Sequence, residues 1–436
     1  MMIPRQEFRA RRAQLNASLK QGSVAIIPAA DLLYRNSDTE HHFRQNSDFH
    51  YLTGFDFPEA IAVFIPNRAQ GEYVLFNQPK NAAAERWTGI RPGQKGAVDE
   101  FGADESFPIG SLEEKLPELL ADCKHIYYAF GRNNALDALI KKTISHIRDK
   151  VRSGLKEPTE LINVETVLHE MRLRKSDNEA AIMRKVADIS ARAHVRAMQA
   201  CKPGLSEYHL QAEIEYACSK EGANTQAYTP IVAGGDNACI LHYVSNDAPL
   251  PDDGLVLIDA GSELHNYASD ITRTFPVNGK FSDEQRAIYN AVLKTQLAVI
   301  DLVKPGTSRD ELENKSIEVI TSELLSLGLL KGDLSTLIEE KAYMAFYMHR
   351  IGHWIGLDVH DVGKYKVDGQ WRPLEHGMIL TVEPGIYIAP DNTDVDKKWR
   401  GIGVRIEDDV LVTKDGHEVL SHAAPKTTDA IEALMA

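Results

Sequence analysis

Residues 255–275 read LVLIDAGSELHNYASDITRTF, an apolar β-rich run that ends abruptly in a carboxylate. Leu255–Ile258 has the composition of a buried strand, and Asp259 follows it directly. A carboxylate at that point is costly to bury unless it is paired or bound to a cation. His265–Phe275 reads as a second strand, and a hairpin brings Asp270 back beside Asp259. Strand alternation then places Asp270 and Thr272 on one face and Arg273 on the other.

The same anomaly returns further along the chain. Met378–Ile388 and Gly401–Val412 are two more strand-like segments. Within the first, the run ILTV is closed by Glu383-Pro384-Gly385. In Val404-Arg405-Ile406-Glu407-Asp408, Arg405 and Glu407 share one face while Val404 and Ile406 share the other. His349, His353 and His360 crowd into HRIGHWIGLDVHD. Singly, each feature has an ordinary explanation. An Asp after a strand caps a turn or a helix, a strand Glu faces water, and a lone His is a satisfied core or surface residue. Together, Asp259, Asp270, His353, Glu383 and Glu407 make a stronger case. Four carboxylates that converge in a low-dielectric site repel one another strongly, and two divalent ions would balance them. Oxygen ligands with one imidazole and no thiolate favour Mn²⁺, with Co²⁺, Zn²⁺ or Fe²⁺ as alternatives. A metal pair roughly 3.5–4 Å apart holds a bridging hydroxide at neutral pH. The residues by themselves reach a candidate dinuclear metallohydrolase and leave its substrate open.

Helices surround these strands. Phe8, Arg9, Arg12 and Leu15 fall at helical spacing. Val24–Ile27, Ile61–Ile65 and Tyr73–Phe76 read as strands of an N-terminal region that mixes α and β. Residues 153–160, SGLKEPTE, read as a linker. Ser176 and Glu179 then form a capping box before a helix with apolar residues at Ile182, Val186, Ile189 and Ala193. That helix stops at Lys202-Pro203-Gly204, and Ser206 opens another. Ser282 and Gln285 cap a later helix that runs to Lys304-Pro305-Gly306, after which Ser308 opens its neighbour. The repeated device suggests two similar halves. It is equally explained by Pro-Gly as a common helix terminator, and the pattern alone does not choose. The class expected is α+β, with two domains at 1–172 and 173–436.

Composition narrows the range of partners. The 436 residues carry 49 Lys+Arg against 63 Asp+Glu, a formal net charge of -14. Nucleic acid is therefore not an expected partner, because phosphate binding needs a basic surface. The hydrophobic share, 43%, is that of an ordinary globular chain. Cys123, Cys201, Cys218 and Cys239 include no CxxC pair, which excludes a zinc ribbon or thioredoxin motif and fits a reducing compartment. The first residues, MMIPRQEFRARRAQL, lack an apolar signal region. Their arginines fit an ordinary first helix better than a mitochondrial presequence. No apolar run is long enough to span a membrane, so a cytoplasmic protein is expected.

LIDAGSELHNYASDITRTF, HRIGHWIGLDVHD, LTVEPGIYI and GIGVRIEDDV resemble the metal boxes of the pita-bread metallopeptidases. Within that group the resemblance is to the aminopeptidase P family, the Xaa-Pro aminopeptidases. Residues 44–55, RQNSDFHYLTGF, resemble that family's N-terminal domain, and Leu168–Glu179 its domain junction. The resemblance covers nearly the whole chain. It implies a C-terminal pita-bread domain with pseudo-twofold halves and a curved antiparallel sheet, behind a mixed α/β N-terminal domain. It implies that Asp259, Asp270, His353, Glu383 and Glu407 bind two divalent ions, most often Mn²⁺. Asp270 and Glu407 would bridge them, with Asp259 on one ion and His353 and Glu383 on the other. It further implies that His242 contacts substrate around the scissile bond, and that His360 stabilises the tetrahedral intermediate. Glu383 would carry a proton, and Arg405 would pack beside the Glu407 ligand.

The implied reaction releases the first residue from peptides with proline second. Proline nitrogen has no N–H and its ring fixes φ, so strand-like docking fails there. A dedicated site must recognise the ring and protonate the leaving nitrogen. Prolidase, which cuts only Xaa-Pro dipeptides, is the alternative. Methionine aminopeptidase lacks the long N-terminal region. A non-catalytic peptide or histone binder and a creatinase-like relative both predict missing ligands. The resemblance also implies a homo-oligomer, a dimer or tetramer. Trp87 in ERWTG then has two readings, service to a neighbouring subunit's site or a place in the N-domain core.

Overall fold

The structure is a computed structural model that describes residues 2–436. It divides into two compact units, one of Ile3–Met171 and one built from Arg172–Ala436.

The first unit is a six-stranded mixed sheet with helices. Its strands lie in the order Glu105–Pro108, Tyr73–Asn77, Ile61–Phe64, Ser23–Pro28, His125–Tyr127 and Glu160–Ile162. The strands Ser23–Pro28, Ile61–Phe64 and Tyr73–Asn77 lie where the sequence places them, and Val24, Ile26, Val63, Val74 and Phe76 alternate onto a buried face. Leu116, Leu120 and Ile140 from the helices Leu112–Leu120 and Asn134–Asp149 cover that face. The stretch SGLKEPTE differs from expectation. It leads into Glu160–Ile162, which pairs in parallel with His125–Tyr127, so it is a connection inside this unit. Trp87 also departs from the core reading, with 89% of its surface exposed.

The second unit is α+β, and every ladder among its described residues is antiparallel. Four long helices form two pairs, Asp177–Ala200 with Glu207–Lys220 and Asp283–Ile300 with Arg309–Ser326. The expected caps are present. Ser176 accepts from the Glu179 amide while Glu179 accepts from the Ser176 amide, and Ser282 with Gln285 does the same. The two halves repeat beyond their helices. Ser206 forms an isolated β-bridge with Pro249, and Ser308 forms one with Pro373. The same ten-residue step (249 to 259, 373 to 383) then leads through an apolar strand to Asp259 and to Glu383. A shared helix terminator does not produce matching bridges, so the halves are related in structure.

The strands themselves are more broken than expected. His265–Phe275 is not one strand: Ser262–Leu264 and Tyr267–Ala268 form their own hairpin, and Thr272–Pro276 pairs with Leu255–Asp259. Ile379–Val382 pairs with Asp408–Val412, whereas Gly385–Ile388 pairs with Ile402–Arg405. Both expected long strands are therefore cut at a glutamate, at Glu383-Pro384 and at Ile406-Glu407. Pro384 has no N–H to give a ladder. Each glutamate sits where the chain passes from one pairing partner to the next.

Behind this break lies a buried ion cluster. Asp408 accepts from Arg273 Nη2 at 2.7 Å, Lys426 Nζ at 2.6 Å, Ser421 Oγ at 2.6 Å and Gln296 Nε2 at 3.0 Å. Burial raises the Asp408 carboxyl, but Arg273 and Lys426 outweigh it and hold the group at about 2. A depressed carboxyl stabilises the fold above its unfolded pKa, and that contribution is lost as pH falls through the folded value. Asp408→Ala should cost about 3–5 kcal/mol at neutral pH, because it strands the Arg273 charge. The gap in thermal or urea stability between wild type and variant should narrow between about pH 4 and about pH 2. A gap that stays constant over that window would remove Asp408 from the acid response.

Candidate metal centre

Each side chain of the cluster is delivered by an element end. Asp259 closes the strand Leu255–Asp259, and Asp270 precedes the strand Thr272–Pro276. A Cβ on Gly261 would lie 1.8 Å from the Ser269 carbonyl, so only glycine lets the two segments close up behind the aspartates. Gly352 does the same for His353, since a Cβ there would meet the Thr381 carbonyl at 2.0 Å.

The tyrosine Tyr228 joins the two aspartates, its hydroxyl lying 2.6 Å from Asp259 Oδ1 and 2.6 Å from Asp270 Oδ1. Burial and then the Asp259 and Asp270 charges push the Tyr228 pKa well up, so it keeps the proton it donates. Arg405 Nη2 donates to Asp259 Oδ2 at 2.6 Å, and Arg405 Nε donates to Thr272 Oγ1 at 3.2 Å. Thr272 Oγ1 in turn donates to Glu407 Oε2 at 2.7 Å. Thr381 Oγ1 donates to Glu383 Oε1 at 3.1 Å.

His353 occupies the middle of this ring. Its Nδ1 donates to the Trp354 carbonyl at 3.0 Å, because a carbonyl only accepts. That leaves Nε2 facing Asp270 Oδ2 at 3.4 Å and Glu383 Oε1 at 3.5 Å. Tautomer selection by a backbone carbonyl is the usual preparation of a ligating imidazole. Ligand atoms of Asp270, His353 and Glu407 lie within 4.8 Å of one another.

The electrostatics follow from burial and crowding. Burial, with the charges of Asp270 and Asp259 added, raises Glu383 to about 7 against the opposing pull of His353 and Arg405. Glu407 is pushed well above the usual carboxylate range by burial and then by Asp270, Glu383 and Asp259. Asp259 is raised by burial, with Arg405 opposing. Burial lowers His353, but its bond to Asp270 and the Glu383 charge overcome that and hold it at about 9. Buried carboxylates that raise one another suit a site for added positive charge. The donor set, oxygens and one imidazole, fits hard divalent ions.

The remaining expected residues surround the cluster. The ring of His360 packs edge-on to His353 with centroids 4.2 Å apart, and its outer side is exposed. His242 lies on an exposed loop; burial lowers His360 first, with His353 and then His242 adding to it, and His242 adds also to the lowering of His349. Arg405 is part of a chain the sequence did not disclose. Its Nη1 donates to Tyr387 OH at 2.9 Å, and Tyr387 OH lies 2.8 Å from His349 Nε2. His349 Nδ1 donates to the Arg350 carbonyl at 2.9 Å. Burial, followed by Arg405, lowers His349 to about 4, so it is neutral and its Nε2 accepts the Tyr387 proton. Tyr387 has a faint sequence signal, its alternation with Gly385 on one strand. Tyr228 has none.

Residues 181–414 match Metallopeptidase family M24, and residues 8–127 match the aminopeptidase P N-terminal domain. The chain belongs to metallopeptidase family M24. It is 45% identical to the Xaa-Pro aminopeptidase of Escherichia coli K12 over 99% of this chain and 98% of that protein. The solved structure of Pseudomonas aeruginosa aminopeptidase PepP is 55% identical, with a TM-score of 0.98 over 99% of this chain and 98% of that one. Zinc-substituted Escherichia coli aminopeptidase P in complex with product gives a TM-score of 0.97 at 45% identity, over 100% and 99% of the two chains. The second unit is thus the pita-bread domain of an M24 metallopeptidase, preceded by an aminopeptidase P N-terminal domain.

In this M24 member Asp270 touches Tyr228 and faces His353, so it is central to any cation held here. Asp270→Ala should lower the metal content of the purified protein, read by elemental analysis against wild type. His360→Ala should leave that content unchanged. Full metal occupancy in the Asp270 variant would take this residue out of the ligand set.

Proposed function

We propose that this M24 protein is a Xaa-Pro aminopeptidase, which releases the first residue from peptides with proline second. The reading rests above all on one observation: Asp270, His353 and Glu407 offer ligand atoms within 4.8 Å of one another, with Asp259 joined through Tyr228 and Glu383 beside His353, in a chain that matches a Xaa-Pro aminopeptidase over 99% of its length. Asp259, Asp270, His353, Glu383 and Glu407 would hold two divalent ions, with Mn²⁺ the first choice by ligand type. Such a pair polarises a carbonyl and supplies hydroxide at neutral pH.

The chain's own residues do the rest. Arg405 fixes Asp259 through a short charge-assisted bond. Through Tyr387 the same guanidinium is tied to neutral His349, which gives that end of the site one hydrogen-bond direction. His360, edge-on to His353 with its outer side exposed, would donate to the oxygen that gains charge in the transition state. His242, on its exposed loop, would contact the substrate. Glu383 would carry the proton that the proline nitrogen needs to leave. We further propose a cytoplasmic homo-oligomer, dimer or tetramer, in which the exposed Trp87 serves a neighbouring subunit's site. No helix among the described residues is long and apolar enough to cross a membrane.

Chelation should abolish release of the first residue from Xaa-Pro-Yaa, and Mn²⁺ should restore it. Activity in protein shown to be metal-free would end the metal reading, and cleavage confined to Xaa-Pro dipeptides would make the enzyme a prolidase. His360→Ala should lose roughly 10²–10³-fold in kcat, with a much smaller change in KM. Steady-state kinetics with wild-type kcat in that variant would refute its role.

A further inference from the structure

Glu207 is a further fully buried carboxylate, and it lies outside both the metal cluster and the Asp408 cluster. It stands at the first turn of the helix Glu207–Lys220. Its Oε1 accepts from the Gly234 amide at 2.8 Å and from Asn237 Nδ2 at 2.9 Å. Its Oε2 accepts from Tyr243 OH at 2.8 Å and from the Ala248 amide at 2.9 Å. No Lys or Arg pairs with it among the described residues. Burying a charge without a counter-ion is expensive, and here four neutral donors and a helix N-terminus offset the cost.

The helix start does not by itself call for an acid. In the second half of the unit the corresponding position, one residue after Ser308, is Arg309. That guanidinium lies over the Tyr365 ring, 4.4 Å from its centroid. What distinguishes Glu207 is the origin of its four donors, which all come from residues 234–248, the loop that carries His242. Two of them, Asn237 and Tyr243, lie on either side of His242, and Tyr243 is its immediate neighbour. Asn246 pins the same loop from its far end. Its Oδ1 accepts from the Val232 amide at 2.9 Å, and its Nδ2 donates to the Pro230 carbonyl at 2.7 Å. His242 is thus an exposed side chain on a loop whose backbone is tied down from beneath.

We propose that Glu207 is a positioning residue for His242: its carboxylate draws the loop 234–248 onto the helix Glu207–Lys220 and so holds His242 toward the metal centre. This rests on the role given to His242 under the proposed function. Leu241 and Tyr243 also pack against Ala238, Leu257 and Tyr387, so loss of the carboxylate should loosen the loop without detaching it, change how well His242 meets substrate and leave the five ligands alone.

A double-mutant cycle on the full chain, loaded with Mn²⁺ and assayed on a Xaa-Pro-Yaa tripeptide, tests it. Glu207→Gln keeps the shape, but its amide NH₂ must face a backbone N–H on whichever side it lies. It should lower kcat/KM roughly tenfold while metal content stays at the wild-type level. In a His242→Ala background the same change should have no further effect, because the residue it positions is gone. Losses that multiply in the double variant would show a general structural role and overturn the inference, as would an unchanged kcat/KM in Glu207→Gln. Should Glu207→Gln fail to fold, Tyr243→Phe removes a single donor, and its smaller loss must likewise vanish in the His242→Ala background. Wild-type protein that fails to cleave the tripeptide overturns the proposed function and this inference together. An active wild type with multiplying losses overturns the inference alone.

Discussion

Four carboxylates meet below the surface of the second unit, and their mutual repulsion is the constraint that the rest of that unit answers. Like charges in a poorly solvated site raise one another's pKa, as Glu383 and Glu407 do here. The fold supplies two positive groups within the cluster, Arg405 on Asp259 and the imidazole of His353 between Asp270 and Glu383. Tyr228, Thr272 and Thr381 add directed O–H donors. A neutral donor orients a carboxylate without cancelling its charge. With all four carboxylates ionised, as cation binding requires, a protonated His353 would leave two negative charges uncompensated and a ligating His353 would leave three.

The architecture converts this electrostatic problem into a geometric one. Related halves each bring an apolar strand to a carboxylate at its end, Asp259 in one and Glu383 in the other. The break after Glu383 moves the chain from the ladder with Asp408–Val412 to the ladder with Ile402–Arg405. Glu407 sits at the matching break on the partner strands, and its amide donates to the Thr272 carbonyl at 3.0 Å. Glutamate in the middle of a continuous ladder would point to one face at a fixed register. At a change of partner its side chain is free to turn toward the cluster.

This explains which parts of the site were legible in the sequence. Asp259 and Glu383 stand out because an apolar run makes a terminal carboxylate conspicuous, and Asp270 follows from the return of the hairpin. The breaks at 383–384 and 406–407 do not show, because apolar residues continue on both sides and periodicity carries no record of which strand is the partner. Tyr228, in QAYTP, has no local anomaly at all, and its role exists only once Asp259 and Asp270 are side by side. His349 was visible as one histidine among three, but its link to Arg405 passes through Tyr387, 38 residues away in sequence. The SGLKEPTE segment reads as a linker because Gly, Pro and charge mark any exposed connection, including one that feeds an edge strand. The repeat of the two halves became decidable only through the paired bridges at Pro249 and Pro373.

The two sides of the adjoining segments Thr272-Arg273 and Arg405–Asp408 carry opposite solutions to the same problem. Toward the cluster, Thr272 and Arg405 address Glu407 and Asp259 with one hydroxyl and one guanidinium, and the carboxylates are still under-compensated. On the other face, Asp408 is surrounded by Arg273, Lys426, Ser421 and Gln296, and its charge is more than matched. Adjacent residues in sequence, Glu407 and Asp408, are thereby driven in opposite directions, one well above its ordinary pKa and one down to about 2. The saturated cluster anchors the strand, since its removal would leave a buried arginine unpaired. The under-compensated one is costly as a purely structural element and would gain stability from a bound cation. A strand held rigid on one face and deliberately short of positive charge on the other is the arrangement that allows a metal site to be strong without being the element that folds the domain.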